Sequence, residues 1–348
     1  MRGDDAMNDA KPATSLAEIR RLLADLPGPD LAARDAAAAR ESRLTKPAGA
    51  LGRLEALASW AATWQGRHPP AIRRPRVAVF AGNHGVAARG VSAYPAAVTA
   101  QMVKNFVAGG AAVNQICRAV DAELRVYELD LDRPTADFTA HPAMTDEECA
   151  RAMAYGMMAV EPGIDLLALG EMGIANTSSG AALCLALFGG TAEDWTGPGT
   201  GVAGEALARK HDVVAAGVAL HGAAATGDGL EILRRLGGFE LAAIAGAVLA
   251  TRLARVPVLL DSYAATAAAA TLTTLGAGLL DHCEVAHLSA EPAHAALCAK
   301  LGKRPLLDLA LRLGEASGAA LAIALVRAAV DCHAGMATFE SAGVSGKA

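Results

Sequence analysis

From residue 76 onward the chain alternates short apolar runs with longer helical stretches; before that point it does not. The runs are residues 77–81, 124–129, 165–169, 256–260 and 284–288, and each ends in glycine or polar residues leading toward a helical stretch. Strand-length runs separated by helices of ten or more residues predict an α/β fold built on a parallel sheet, with helices on both faces. Ligands of such sheets lie outside the carboxyl ends of the strands. Here those ends carry Asn83-His84, Glu171, Asp261-Ser262 and Ser289.

The two ends of the chain follow a helical period instead. Ser15-Leu-Ala-Glu18 has capping-box spacing and opens an amphipathic segment over 16–26 that Pro27-Gly28-Pro29 closes. Further helices are predicted over 30–43 and 54–65. After Leu301 the pattern is helical again, over 306–311 with Pro305 at a helix start, and over 316–330. These segments are expected to pack together as a small helical domain, 14–70 with 302–348, beside a large α/β catalytic domain of 71–301. Residues 1–13 read as a disordered tail.

Composition narrows the class. The chain has 348 residues, 53% of them apolar but only 4% aromatic, so its hydrophobicity is carried by alanine and aliphatic residues. Two uncharged runs, 172–192 and 262–280, approach bilayer length. Acids bracket each of them (Glu171 and Glu193, Asp261 and Asp281), and polar turns or Ala, Thr and Gly fill them, which disfavours a membrane span. A net charge of −5 without a Lys/Arg run excludes a nucleic-acid groove and points to a small-molecule partner. Six scattered cysteines with no CxxC pair read as thiols in a reducing compartment. The polar N-terminus has no signal-peptide pattern, and a cytoplasmic protein is expected.

Four stretches could carry chemistry, and each also has a purely structural explanation. Gly173-Ile-Ala-Asn-Thr-Ser-Ser-Gly180 joins a strand to a helix, where free N–H groups and the macrodipole suit a phosphate; a tight turn capped by Thr177 or Ser178 would use the same residues. Gly197-Pro-Gly-Thr-Gly-Val-Ala-Gly204 contains GxGxxG but follows no strand, so a dinucleotide fingerprint is rejected. Together with Lys210 it is either a second phosphate nest or a flexible loop. Ser92, Tyr94 and Gln101 could hold a flat ring, or form a turn before a helix. Glu315, in Leu313-Gly-Glu-Ala-Ser-Gly318, is either a helix N-terminal charge or a general base whose proton affinity is raised by apolar neighbours. His84 has no second metal ligand at helical or strand spacing, and no metal site is expected.

In order, LTKPAGALGRLE, AGNHGVAARGVSAYPAAVTAQMV, GEMGIANTSSG, GPGTG, DGLEILRRLGGFE, LLDSY, HLSAEPAH and LRLGEASGAALA resemble one family over about residues 44–343, the nicotinate-nucleotide–dimethylbenzimidazole phosphoribosyltransferases. The resemblance implies a Rossmann-like domain with a small helical domain from both termini, a homodimer, and a Leu44–Glu55 segment that helps complete the partner's site. It implies phosphoribosyl transfer from nicotinate mononucleotide to 5,6-dimethylbenzimidazole in cobalamin biosynthesis, without a cofactor. Glu315 matches the family's catalytic carboxylate and Glu171 a second one. Gly173, Ile174, Asn176, Thr177, Gly199, Thr200, Gly201 and Lys210 match the phosphate and ribose loops, and Ser92, Tyr94, Gln101, Met172 and Leu313 the base pocket. Pro198 stands where an arginine is expected, and Asn83 where some members have Asp. Transfer to another base, such as adenine or a phenol, and a non-catalytic nucleotide-binding regulator remain the alternatives.

Overall fold

A computed structural model describes residues 14–345; the predicted tail, 1–13, lies outside them. Three helices come first: α1 (Leu16–Leu22), α2 (Leu31–Glu41) and α3 (Arg53–Gln65). Then follow β1 (Pro75–Ala81), α4 (Ala97–Ala108), α5 (Ala112–Ala119), β2 (Glu123–Glu128), α6 (Asp146–Met157), β3 (Leu166–Met172), α7 (Asn176–Phe188) and α8 (Ala192–Trp195). The second half holds α9 (Glu205–Ala225), α10 (Gly229–Leu236), α11 (Phe239–Leu253), β4 (Val258–Leu260), α12 (Tyr263–Ala270), β5 (Cys283–Val285), α13 (Ala293–Lys300) and α14 (Ser317–Gly335).

All five predicted runs form strands of one parallel sheet, in the order β2-β1-β3-β4-β5. The order reverses between β1 and β3, and that switch point is where a crevice opens at the carboxyl edge. Side chains alternate between two cores, as the strand period requires. Ala78, Phe80, Leu167 and Leu169 face α6, α7, α11 and α12. Val77, Val79, Leu166 and Ala168 face α5 and the Ile323, Val326 and Val330 stripe of α14. α14 is long and apolar enough to cross a bilayer, but its apolar stripe is spent on the sheet. The uncharged run 172–192 contains the thirteen-residue α7, and 262–280 breaks into α12 and a 3₁₀ turn, with all of α12 buried.

The helix starts follow their caps. Ser15 Oγ accepts from Glu18 N at 3.3 Å, and the Glu18 carboxylate reaches back to Thr14 N rather than Ser15 N. Asp30 Oδ1 caps α2 through Ala33 N at 2.9 Å. The chain ends meet where Leu44 bridges Thr338 and Arg40 donates to the carbonyls of His333, Ala334 and Met336. α1 packs instead on α6, and Leu16 N donates to Asp146.

One predicted helix is absent. Residues 306–311 run irregularly alongside β5, with Leu307 in a single bridge to His287 and Leu306 N, Leu307 N and Leu288 N bonded to Val285 O, Ala286 O and Leu307 O. The exposed edge of β5 offers these residues a backbone partner, and a six-residue helix is too short to compete with it.

α6 and α11 lie so close that a Cβ on Gly156 would stand 1.9 Å from Ala243 O. Gly156→Ala is therefore expected to destabilise the protein by roughly 1–3 kcal/mol through overpacking. Urea unfolding that shows an unchanged midpoint would contradict this close packing.

Candidate active site

Two carboxylates enter the crevice from different parts of the chain. Glu171 comes from the end of β3, and its place one residue from the end of the strand puts it at the carboxyl edge. Glu315 comes from the turn before α14, in which Gly314, Glu315 and Ala316 have φ of +79°, +60° and +61°. The left-handed conformation costs a non-glycine residue about 1–3 kcal/mol, and such strain persists only where the surroundings hold it. Three contacts do so here. Ser317 N and Oγ both donate to Gly314 O, at 3.0 and 2.7 Å. Asp261, just after β4, accepts from Ala319 N at 2.8 Å and ties down the first turn of α14. Gly170 of β3 makes room for the turn, since a Cβ there would sit 2.2 Å from Ala316 N.

The other side of the crevice is built by α7. Its N-cap is Ala175, at φ +76°, which offers no capping side chain. The capped-turn alternative, with Thr177 or Ser178 at the cap, is thereby excluded, because both lie inside the helix. Thr177 Oγ1 instead accepts from Lys210 Nζ at 2.9 Å, and Lys210 also donates to Gly197 O at 2.9 Å. The second glycine loop thus folds back over the start of α7, and Glu291 anchors it by accepting from Gly199 N at 3.0 Å. No strand precedes this loop; α8 does.

Burial sets the electrostatics. The Glu171 carboxyl is pushed up to about 8, first by burial and then by the charges of Asp261 and Glu240, against a hydrogen bond from Asn176 Nδ2. Burial and then Asp261 push Glu315 up to about 7. Lys210 is pushed down to about 8 by burial, with Glu291 opposing. His84 lies buried below the crevice, between Glu240 Oε1 at 2.5 Å and Ser179 Oγ at 3.0 Å. Its role in the fold is that buried network. Among the described residues, no group of His, Cys, Asp and Glu side chains is arranged to hold a metal ion.

These elements enclose a cavity of about 500 Å³. Of the expected residues, Glu171, Met172, Gly173, Ile174, Asn176, Thr177, Gly199, Thr200, Tyr94, Leu313 and Glu315 line it, and Lys210 stands behind its wall. Ser92, Gln101 and Gly201 do not. Gln101 is on the exposed face of α4, whereas Val98, Met102 and Asn105 form the face that lines the cavity. Ser92 only accepts from Tyr94 N at 3.3 Å, and Gly201 is exposed at the loop's tip. The i, i+4, i+7 spacing of Val98, Met102 and Asn105 was the available signal for the right face. Ser262 and Ser289 also line the cavity, as do Tyr263, Glu291 and Arg312, which were not expected there. Ser262 and Ser289 are polar residues at strand ends, so position alone marked them. A wider cavity of about 960 Å³ lies beside β2, between α1 and α6. Its charged walls pair among themselves (Arg133 with Asp130 and Glu148), and no reactive groups converge in it.

Residues 26–344 match the model of a family described as phosphoribosyltransferase. Nicotinate-nucleotide–dimethylbenzimidazole phosphoribosyltransferases from Brucella anthropi and Agrobacterium fabrum are 56% and 58% identical to the chain. The first match covers 94% of this chain and 97% of its relative, the second 94% of each. The crystal structure of the Thermus thermophilus enzyme of that name superimposes with a TM-score of 0.84 at 43% identity, covering 91% of this chain and all of that one.

A charged hydrogen bond from a buried lysine is worth about 1.5–3 kcal/mol. Lys210→Met should therefore weaken binding of a nucleoside 5′-monophosphate by roughly tenfold or more, and leave binding of the corresponding nucleoside unchanged. Calorimetry that finds equal losses for both ligands would remove Lys210 from the phosphate site.

Proposed function

The chain belongs to the nicotinate-nucleotide–dimethylbenzimidazole phosphoribosyltransferase family, and on that premise we propose how its residues divide the work of the reaction. The enzyme transfers the 5-phosphoribosyl group of nicotinate mononucleotide to 5,6-dimethylbenzimidazole, a step of cobalamin synthesis. The observation that carries our assignment is a buried carboxylate, Glu315, with a proton affinity near neutrality, held by a strained turn in the wall of the cavity. Glu315 takes the N–H proton of dimethylbenzimidazole. The ring nitrogen freed of that proton attacks C1′ of the nucleotide, and the C1′–N bond to nicotinate breaks. Its electron pair returns to the pyridine ring, which leaves neutral. Attack from the face opposite the leaving group inverts C1′ and gives α-ribazole 5′-phosphate.

The remaining groups position the reactants. Gly173, Thr177, Gly199, Thr200 and Lys210 hold the phosphate, joined by Gly201 at the tip of the loop. Glu171, oriented by Asn176, retains its proton up to about pH 8. Near neutrality it therefore donates a hydrogen bond to the ribose and orients it, rather than stabilising positive charge. Tyr94, Val98, Met102, Met172, Ile174 and Leu313 give the base an apolar slot suited to its two methyl groups; an adenine amino group would find less there. Nicotinate departs as a neutral nitrogen, so the mechanism asks for no added electrophile.

We assign the chain to a homodimer in a reducing cytoplasm. Six free cysteines, all but Cys332 buried, support the compartment. Tyr94 and Leu313, each about half exposed at the mouth of the cavity, support a partner surface there. The 44–55 segment, in which Lys46 bridges Glu41 and Glu55 at 2.6 Å each, is the part we assign to the partner's site. Sedimentation of the purified chain as a monomer at assay concentration would refute the dimer.

Incubation with both substrates should yield nicotinate and α-ribazole 5′-phosphate, followed by chromatography with the anomer read by NMR. Glu315→Gln should retain binding of both substrates and lose roughly a hundred- to ten-thousand-fold in rate, the usual contribution of a positioned base. Near-normal turnover would exclude Glu315 as the base. Because the base must be ionised to act, kcat/KM for dimethylbenzimidazole should fall as the pH drops below about 7.

A further inference from the structure

Below the two carboxylates of the cavity lie two buried histidine–carboxylate contacts: His84 with Glu240, and His287 with Asp261. We propose that Asp261, with His287 against it, is a positioning residue of the reaction: it ties down the turn that carries Glu315 and acts as the neighbouring carboxylate that tunes the base. The proposal rests on Glu315 being the base.

Geometry gives Asp261 both tasks. It is fully buried, directly after β4. Its Oδ1 holds Ala319 N at 2.8 Å, three residues beyond the left-handed turn, so a single carboxylate ties that turn to the sheet. The same oxygen is at ion-pair distance, 3.5 Å, from His287 Nε2 without forming a hydrogen bond, and neither Oδ2 nor either His287 ring nitrogen has a hydrogen-bond partner among the described residues. His287, fully buried after β5, packs its ring against the first turn of α14, where a Cβ on Gly318 would stand 2.0 Å from its Cδ2. Burial leaves no solvent to screen the unpartnered oxygen. A like charge held this way makes a neighbouring carboxyl harder to ionise, and Asp261 is the one charged neighbour that raises Glu315.

The other titratable groups around this centre differ in kind. Glu171 on β3 faces Glu315 across the cavity and keeps its proton near neutrality. Glu240 on α11 is engaged by His84. Glu291 bonds Gly199 N on the phosphate side, and Lys210 on α9 faces it. His294 on α13 bonds Thr266 Oγ1 and Ser289 N, and burial pushes it down to about 4, so it stays neutral. Arg312, on the loop that carries Glu315, is exposed. Asp261 is thus left as the carboxylate tied to the turn that carries the base, with His287 against it, its proton affinity raised by Asp261 against burial.

The sign of the effect follows. A neutral residue at 261 lowers the proton affinity of Glu315, whereas removing the imidazole exposes Glu315 to the uncompensated charge and raises it. The test is the pH dependence of kcat/KM for dimethylbenzimidazole in the full chain, with the unmodified enzyme, Asp261→Asn, His287→Gln and Glu315→Gln in parallel. Asparagine keeps an oxygen for Ala319 N–H and removes only the charge. Asp261→Asn should move the acid limb to lower pH by roughly one unit, the scale of a close buried charge, and lower the plateau several-fold because the base is weaker. His287→Gln should move the limb to higher pH. Opposite shifts support the proposal; a lowered plateau with the limb in place in either variant, or shifts in one direction for both, overturns it. If Asp261→Asn does not fold, the direction of the His287→Gln limb decides alone. Near-normal activity of Glu315→Gln would instead remove the base assignment itself, so the two failures are distinguishable.

Discussion

The approach of the Gly314–Ala316 turn to β3 decides where the chemistry can happen. Two backbones meet there at a distance that only the missing side chain of Gly170 permits. Through that contact a carboxylate from near the end of the chain enters the same cavity as Glu171, at the carboxyl edge of a sheet begun more than two hundred residues earlier. The contact also keeps Glu315 and Ala316 left-handed. Strain of this kind is tolerated because hydrogen bonds from Ser317 and the tether from Asp261 leave the turn no nearby alternative.

Burial then sorts the acids at the sheet edge. Glu240 and Asp261 sit under the cavity, each against a histidine. Glu171 and Glu315 line the cavity, have no cationic partner among the described residues, and hold their protons toward neutrality. An isolated buried carboxylate costs less when protonated than when ionised, so the same dry environment that stabilises the fold gives these two side chains useful proton affinities. The cationic side of the site is separate: Lys210 is held by Thr177 and Gly197 at the start of α7, away from both acids. Keeping the two apart prevents a permanent ion pair, which would lower a carboxylate's proton affinity and occupy the lysine.

The placement of β1 and β3 at the reversal of strand order makes these arrangements compatible. Divergent connections on either side of the switch point leave the strand ends uncovered. β3 can therefore end in a glycine-rich loop without filling the crevice, and α4 can present Val98, Met102 and Asn105 to it.

Much of this was legible in the chain before any tertiary information. Strand and helix periods, the Gly-rich loops and the polar residues at strand ends depend on local steric and solvation preferences, and they identified the five strands, α7, and Glu171 and Glu315 as candidates. Local pattern was misleading at 306–311, where the edge of β5 supplied backbone partners that outweighed a helical period. On α4 the structure turns Val98, Met102 and Asn105 to the cavity and leaves Gln101 exposed, a difference that depends on what the helix packs against. Local sequence could not separate a base from a helix-start charge at Glu315, since proton affinity depends on burial and on Asp261, 54 positions away in the chain. Nor could it rank Glu291 or Ser262 above other polar residues. The sequence by itself determined the five strands, most of the helices and the glycine-rich turns between them; the tertiary structure alone decided which carboxylates share a dry cavity, because solvation and charge coupling are set by neighbours in space.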